Sequence, residues 1–231
     1  GRMIHPMQGD KSYVRYSGRT GEWINSVSRG GLNILLLNEA EKTGLIDIHF
    51  NMECQDIDFD GGKITLTDMS TKTAVVDSAD VIFGTDGANS AVRNGMMAQS
   101  PRLRFDFSQK YLDTGYKELE IPPAEDGSFR LEHHALHIWP RAGYMMIALP
   151  NLDGSFTVTL FMPFEGEKSF SNLQKDDEIL SFFEEQFPTA YAQMPDLLAD
   201  YRSNPSSSLG TIKCYPWQVN GKFLLMGDAA H

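Results

Sequence analysis

Two stretches of the sequence finish on the same pair of residue types. Phe83-Gly84-Thr85-Asp86-Gly87 and Met226-Gly227-Asp228-Ala229-Ala230 each place glycine and aspartate just past an apolar run. If the run is a strand of an open α/β sheet, that position is the carboxyl edge where ligands bind. Glycine there lets backbone come close to a phosphate or a ring, and a carboxylate accepts hydrogen bonds from ribose or ribityl hydroxyls. Asp-Gly is also a common plain turn, so either stretch alone is weak and the recurrence is the signal. Arg29 follows Ser28 at the start of a helical pattern, where positive charge and free backbone N–H groups both suit a diphosphate. His133, His134 and His137 have metal-ligand chemistry, but the surrounding pattern is that of a strand and no further ligand cluster accompanies them, so no metal is expected. No Ser-His-Asp arrangement is recognisable, and no catalytic protein nucleophile is expected.

The elements that must carry these residues follow from periodicity. Residues 13–16 and 23–27 read as strands. Ser28 is placed to cap a helix whose Leu32, Leu35 and Leu36 form one apolar stripe and whose end falls at Gly44. A strand is expected over 46–50, then a meander over 55–59, 63–67 and 74–77 with a turn at Asp60-Gly61-Gly62. Val81-Ile82-Phe83-Gly84 is apolar throughout, as a buried parallel strand is, and a helix through Arg93 follows it.

From Pro101 onward longer β-type runs appear at 116–121, 134–139, 144–149 and 156–161, predicting a mostly antiparallel sheet. By period two Leu136 and Ile138 share a face, as do Ile147 and Leu149, and Phe161 on the next strand can complete an apolar lining. Periodicity does not say which face looks at a ligand. Ile179, Phe182, Phe183 and Phe187 predict a helix packed on the sheet. The Ser/Asn/Pro stretch 203–208 reads as a return linker before a last buried strand at 223–226.

Composition narrows the class. With 31 acidic and 20 basic residues the chain carries −11, which argues against a nucleic-acid or anionic-membrane surface. The apolar runs are strand-length, far short of the roughly 20 residues of a membrane helix, so no membrane segment is expected. Two distant cysteines, Cys54 and Cys214, exclude a disulfide framework and point to a reducing, cytoplasmic setting.

The string Gly84-Thr85-Asp86-Gly87-Ala88-Asn89-Ser90-Ala91-Val92-Arg93 resembles the Asp-Gly fingerprint of the FAD-dependent aromatic hydroxylases, and Gly227-Asp228-Ala229-Ala230-His231 resembles their second FAD motif. Residues 136–141, 145–151 and 155–164, with Arg2-Met3-Ile4-His5 and Ser26-Val27-Ser28-Arg29, are similar to the kynurenine-hydroxylating branch. The resemblance covers essentially the whole chain. It implies an α/β (α+β) fold: an incomplete Rossmann-like FAD-binding domain at 1–100, a substrate-binding β-sheet domain at 101–208, and a return strand of the first domain at 209–231.

It also implies FAD as cofactor, NADPH as co-substrate, and L-kynurenine and O2 as substrates, giving 3-hydroxykynurenine in tryptophan breakdown toward quinolinate and NAD. Arg2 then corresponds to the carboxylate anchor and Tyr16 to the tyrosine that joins it. Leu136, Ile138, Ile147, Leu149 and Phe161 would line the ring slot. Arg29, Cys54, Asp86, Gly87 and Asp228 would meet FAD, Cys54 through its backbone and Asp228 at the ribityl chain. The family's leading Gly-x-Gly-x-x-Gly unit and its later flavin loop have no counterpart in these residues, so the chain reads as a piece of a longer enzyme, inactive by itself. Two alternatives remain at this stage: a related flavin monooxygenase acting on another aromatic carboxylic acid, and a non-catalytic scaffold.

Overall fold

A computed structural model describes residues 1–19, 22 and 24–231. Strands β1 (Arg2–Ile4) and β2 (Ser12–Val14) lead to helix α1 (Arg29–Lys42). A meander follows, made of β3 (Met52–Asp58), β4 (Lys63–Asp68) and β5 (Ala74–Ser78). Next come β6 (Ile82–Gly84), α2 (Ala91–Ala98), α3 (Ser100–Leu103) and the long β7 (Asp106–Ile121). After them run β8 (Leu136–Arg141), β9 (Tyr144–Pro150) and β10 (Phe156–Pro163). Helices α4 (Asp176–Gln186), α5 (Pro188–Tyr191) and α6 (Leu197–Ser203) precede β11 (Ser206–Tyr215), β12 (Gln218–Val219) and β13 (Phe223–Leu225). The fold is mixed α/β and rich in antiparallel pairing. No helix among the described residues is long and apolar enough to cross a membrane.

The chain divides into two compact units: Gly1–Asn38 with Leu112–Leu209, and Glu39–Tyr111 with Gly210–His231. The first is built on a seven-stranded sheet in the order β11-β7-β10-β9-β8-β1-β2. Strands β7, β10, β9 and β8 pair antiparallel in turn, whereas β1 lies parallel to β8. Alternation along these strands sends Trp139, Met146, Ala148, Val158, Leu160 and Met162 to one face, all fully buried. Helix α4 covers that face with Ile179, Phe182 and Phe183, and α6 adds Leu197 and Tyr201. Each such large apolar side chain contributes about 1.5–3 kcal/mol, so this core is the main source of the unit's stability.

The second unit holds the meander and a smaller sheet in the order β12-β13-β6. Its core gathers Ile57, Phe59, Met96, Phe105, Phe223 and Leu225. A Cβ on Gly84 would lie 2.8 Å from the Val92 Cβ, so glycine is what lets α2 lie this close to β6.

Several expectations change. Trp23 lies outside the described residues, and 24–27 form no strand. Residues 46–50 are likewise irregular, with Ile46 and Phe50 exposed: β-propensity makes a strand only where a neighbouring strand supplies ladder hydrogen bonds. Strand β6 is parallel as expected but buried on one face only, since Phe83 is 57% exposed. The leucine stripe of α1 is not covered either, and no residue of that helix is buried. The presumed linker 203–208 runs into a strand, because Ser206–Tyr215 pairs at the sheet edge beside β7. Finally, the parallel pairing of β1 with β8 groups residues 1–38 with the large sheet, not with the following sixty or so residues.

Candidate functional site

In the first unit the register decides which residues share a face. Arg2 pairs with Leu136, and Ile4 with Ile138. Ile138 pairs with Ile147, Ile147 with Thr159, Leu149 with Thr157, and Met145 with Phe161. Paired residues project to the same side, so Arg2, Leu136, Ile138, Ile147, Leu149 and Phe161 all lie on the face opposite the buried core. The apolar members are half-buried there. Arg2 is exposed, and its guanidinium carbon lies 4.6 Å from the centre of the Tyr16 ring. That stacking holds a planar five-donor fork in one orientation at the edge of an apolar wall, which suits a carboxylate attached to a flat, greasy body. Ile4 and Met145 also belong to this face. Met145 falls on the same alternation as Ile147 and Leu149 within 144–149, whereas Ile4 lies on a strand that its own sequence does not announce.

In the second unit β6 and β13 run parallel with Gly84 opposite Leu225, and Met226 N–H donates to the Gly84 carbonyl at 3.0 Å. The two Gly/Asp turns therefore leave adjacent strand ends. Arg93, 2% exposed, ties them together: Nη1 donates to the Ala229 carbonyl at 3.0 Å, and Nη2 donates to the Ala88 carbonyl. Its Nε is buried without a hydrogen-bond partner among the described residues. In sequence, Arg93 is the last residue of the Asp-Gly motif and part of a helical pattern. Its role depends on Ala229, distant in sequence, and a lone arginine gives no local sign of that.

The two aspartates differ. Asp86 Oδ2 accepts from the backbone N–H groups of Ala91 (2.7 Å) and Val92 (3.3 Å), so its carboxylate serves the first turn of α2. Ser90 Oγ accepts from Arg93 N–H at 3.0 Å and completes that cap. Asp228 is exposed and has no hydrogen-bond partner among the described residues. Gly87 and Gly227 both have positive φ, +77° and +59°, with open space where a Cβ would stand. Cys54, on β3, is partly buried; burial first, then the charges of Asp86 and Asp56, push its thiol pKa up. A protonated, inert thiol follows.

Arg29 opens α1. Ser28 Oγ accepts from Gly31 N–H at 3.2 Å, and the exposed Arg29 has no ion-pair partner among the described residues. The histidines separate. His137 turns into the core, where its Nδ1 meets His5 Nε2 at 2.9 Å, while Glu132, His133 and His134 crowd an exposed turn with ligand atoms within 4.8 Å of one another.

In the second unit, Asp228 offers a dinucleotide cofactor an acceptor unengaged among the described residues and Gly87 offers open backbone; Arg29, in the first unit, is by itself an exposed cation at a helix start. The fit is poorer at Asp86, whose carboxylate is committed to α2. A family model described as an FAD binding domain matches residues 20–231, and the chain belongs to that family.

Within it, the chain is similar to the kynurenine 3-monooxygenases of Myxococcus xanthus and Dictyostelium discoideum, each 46% identical over 231 residues, covering 100% of this chain and 49% of the relative. That of Flavobacterium psychrophilum is 45% identical over 230 residues, covering 100% and 50%. The chain thus spans about half the length of the curated relatives it matches. Among solved structures, the tetrameric form of 2-methyl-3-hydroxypyridine-5-carboxylic acid oxygenase aligns with a TM-score of 0.69 at 22% identity, over 100% of this chain and 57% of that one. The tetracycline destructase Tet(51) aligns at 0.57 and 15% identity, over 99% and 55%. At such identities the likeness is one of fold.

Proposed function

We propose that the full-length protein carrying this chain is an FAD-dependent monooxygenase that hydroxylates L-kynurenine at ring position 3, consuming NADPH and O2. The observation that carries this reading is the shared face of Arg2, Leu136, Ile138, Ile147, Leu149 and Phe161, with Arg2 stacked on Tyr16. In this reading Arg2 forks the α-carboxylate, Tyr16 holds Arg2 in place and adds its hydroxyl, and the five apolar side chains seat the ring and keep water away from it. The sheet unit is then the substrate part and the second unit the cofactor part. Asp228 accepts from ribityl hydroxyls, Gly87 offers close backbone, Asp86 shapes the turn through α2, and Cys54 contributes backbone; Arg29, which belongs to the first unit, is the candidate for the diphosphate. Bound FAD would supply the redox chemistry, NADPH the electrons, and O2 the transferred oxygen atom. Kynurenine names the substrate because relatives at 42–46% identity bear that activity in their names. Two free cysteines fit a reducing compartment such as the cytoplasm.

The test is incubation of the full-length protein with FAD, NADPH and L-kynurenine, with mass spectrometry for a product one oxygen atom heavier. Arg2→Met should raise the KM for kynurenine roughly 10- to 100-fold through loss of a charge-assisted bidentate pair. Turnover of another aromatic acid in place of kynurenine would replace the substrate; unchanged KM in the variant would remove Arg2 from the site.

A further inference from the structure

Polar side chains on the open face of the large sheet include Tyr116, Glu118 and Glu120 on β7 and two threonines on β10. Thr157 is one, and its hydroxyl is engaged: Asn151 Nδ2 donates to it at 3.1 Å. Thr159, two residues on along β10, is half-buried, and its hydroxyl has no hydrogen-bond partner among the described residues. It pairs with Ile147 on one side and Glu118 on the other, and Ile138 follows beyond Ile147. Thr159 thus sets one free hydroxyl at the border of the apolar wall. A ligand lying on that wall displaces the water this hydroxyl uses, so the hydroxyl must find its partner on the ligand or be stranded.

We propose that Thr159 is a specificity-determining residue whose hydroxyl takes the ring amino group of an aryl amino acid anchored by its carboxylate at Arg2. The assignment rests on the kynurenine reading above and deepens it. Three strand spacings separate β1 from β10, roughly 14 Å, and Arg2 lies two residues, roughly 7 Å, before the row that holds Thr159. A carboxylate borne directly on the ring keeps an adjacent amino group close to Arg2 and leaves little reach toward Thr159. A three-carbon chain between ring and carboxylate extends that reach. The Tyr116 hydroxyl also lacks a partner among the described residues, but it lies beside Phe161 a further strand away from Arg2.

The experiment measures binding of L-kynurenine and of β-benzoylalanine, which lacks the ring amino group, to the full-length FAD-loaded protein and its Thr159→Val and Thr159→Ser variants. Wild type should prefer kynurenine roughly three- to tenfold, the scale of one hydrogen bond. Thr159→Val, nearly isosteric and still β-branched, should erase that preference by weakening kynurenine alone, and Thr159→Ser should retain it. A preference that survives in Thr159→Val, or equal weakening of both ligands, overturns the assignment while leaving the kynurenine reading in place. Absence of kynurenine binding in wild type overturns both.

Discussion

Asp86 and Asp228 follow the same local pattern, a glycine and an aspartate just past a strand, yet the structure engages the first carboxylate and leaves the second without a partner among the described residues, and the difference is measurable. Asp86 satisfies two backbone N–H groups at the first turn of α2, at 2.7 and 3.3 Å. Loss of a helix cap costs about 1–2 kcal/mol, and removing a negative charge from a helix N-terminus adds about 0.3–1 kcal/mol. Asp86→Ala should therefore lower the unfolding free energy of the FAD-free protein by about 1–3 kcal/mol, read from urea unfolding of the full-length chain. Asp228 satisfies no group among the described residues, so Asp228→Ala should change that free energy by less than about 0.5 kcal/mol. Its cost should fall on the cofactor. One charge-assisted hydrogen bond to a ribityl hydroxyl is worth about 1.5–3 kcal/mol, which raises the FAD dissociation constant roughly 10- to 150-fold in a fluorescence titration. Asp228→Ala that binds FAD as tightly as wild type, or Asp86→Ala that unfolds at the wild-type urea midpoint, would refute the division of duties.

Two further outcomes are expected. Arg93→Met removes a buried fork that joins the carbonyls of Ala88 and Ala229; allowing for relief of the stranded Nε, unfolding should become easier by about 2–4 kcal/mol, and a loss under about 0.5 kcal/mol would mean the clamp is dispensable. His5 is buried against Trp139, and burial, with the charges of His137, Lys11 and Arg141, brings its pKa down to about 4. Between that value and about 6.5 the unfolded chain binds the proton and the folded one does not. Stability from this group is therefore full above pH about 6.5 and falls by up to about 3 kcal/mol as the pH drops toward 4. His5→Phe should flatten that part of the stability–pH curve, and parallel curves for the two proteins would remove His5 as the cause.

Most of the large sheet was legible because its signal is local. The alternation in 134–161 repeats within each strand and alone separates Trp139, Met146 and Leu160 from Ile138, Ile147 and Phe161. The meander was legible for the same reason, with turn residues at fixed places between short alternating runs. Strand β1 was not. Three residues carry too little pattern to announce a strand, and its ladder partner Leu136–Ile138 is remote in sequence, so its place depends on a pairing that no window along the chain contains. Arg2 gains its place beside Leu136 only through that pairing.

The turns show the complementary limit. Residue type and position past a strand identified both aspartates as acceptors, but not what they accept. At Asp86 the chain proceeds through Ser90 directly into α2, and the helix's own unpaired N–H groups reach the carboxylate first. At Asp228 the Ala230 and His231 N–H groups donate to the Gly227 carbonyl, and among the described residues no backbone donor reaches the Asp228 carboxylate. The two can be told apart in sequence only by asking which backbone donors the next few residues leave unpaired. The same accounting separates Thr157, answered by Asn151, from Thr159, which nothing in the described chain answers. Free hydrogen-bonding capacity on an otherwise complete surface is therefore where the chain's ligand chemistry should be sought.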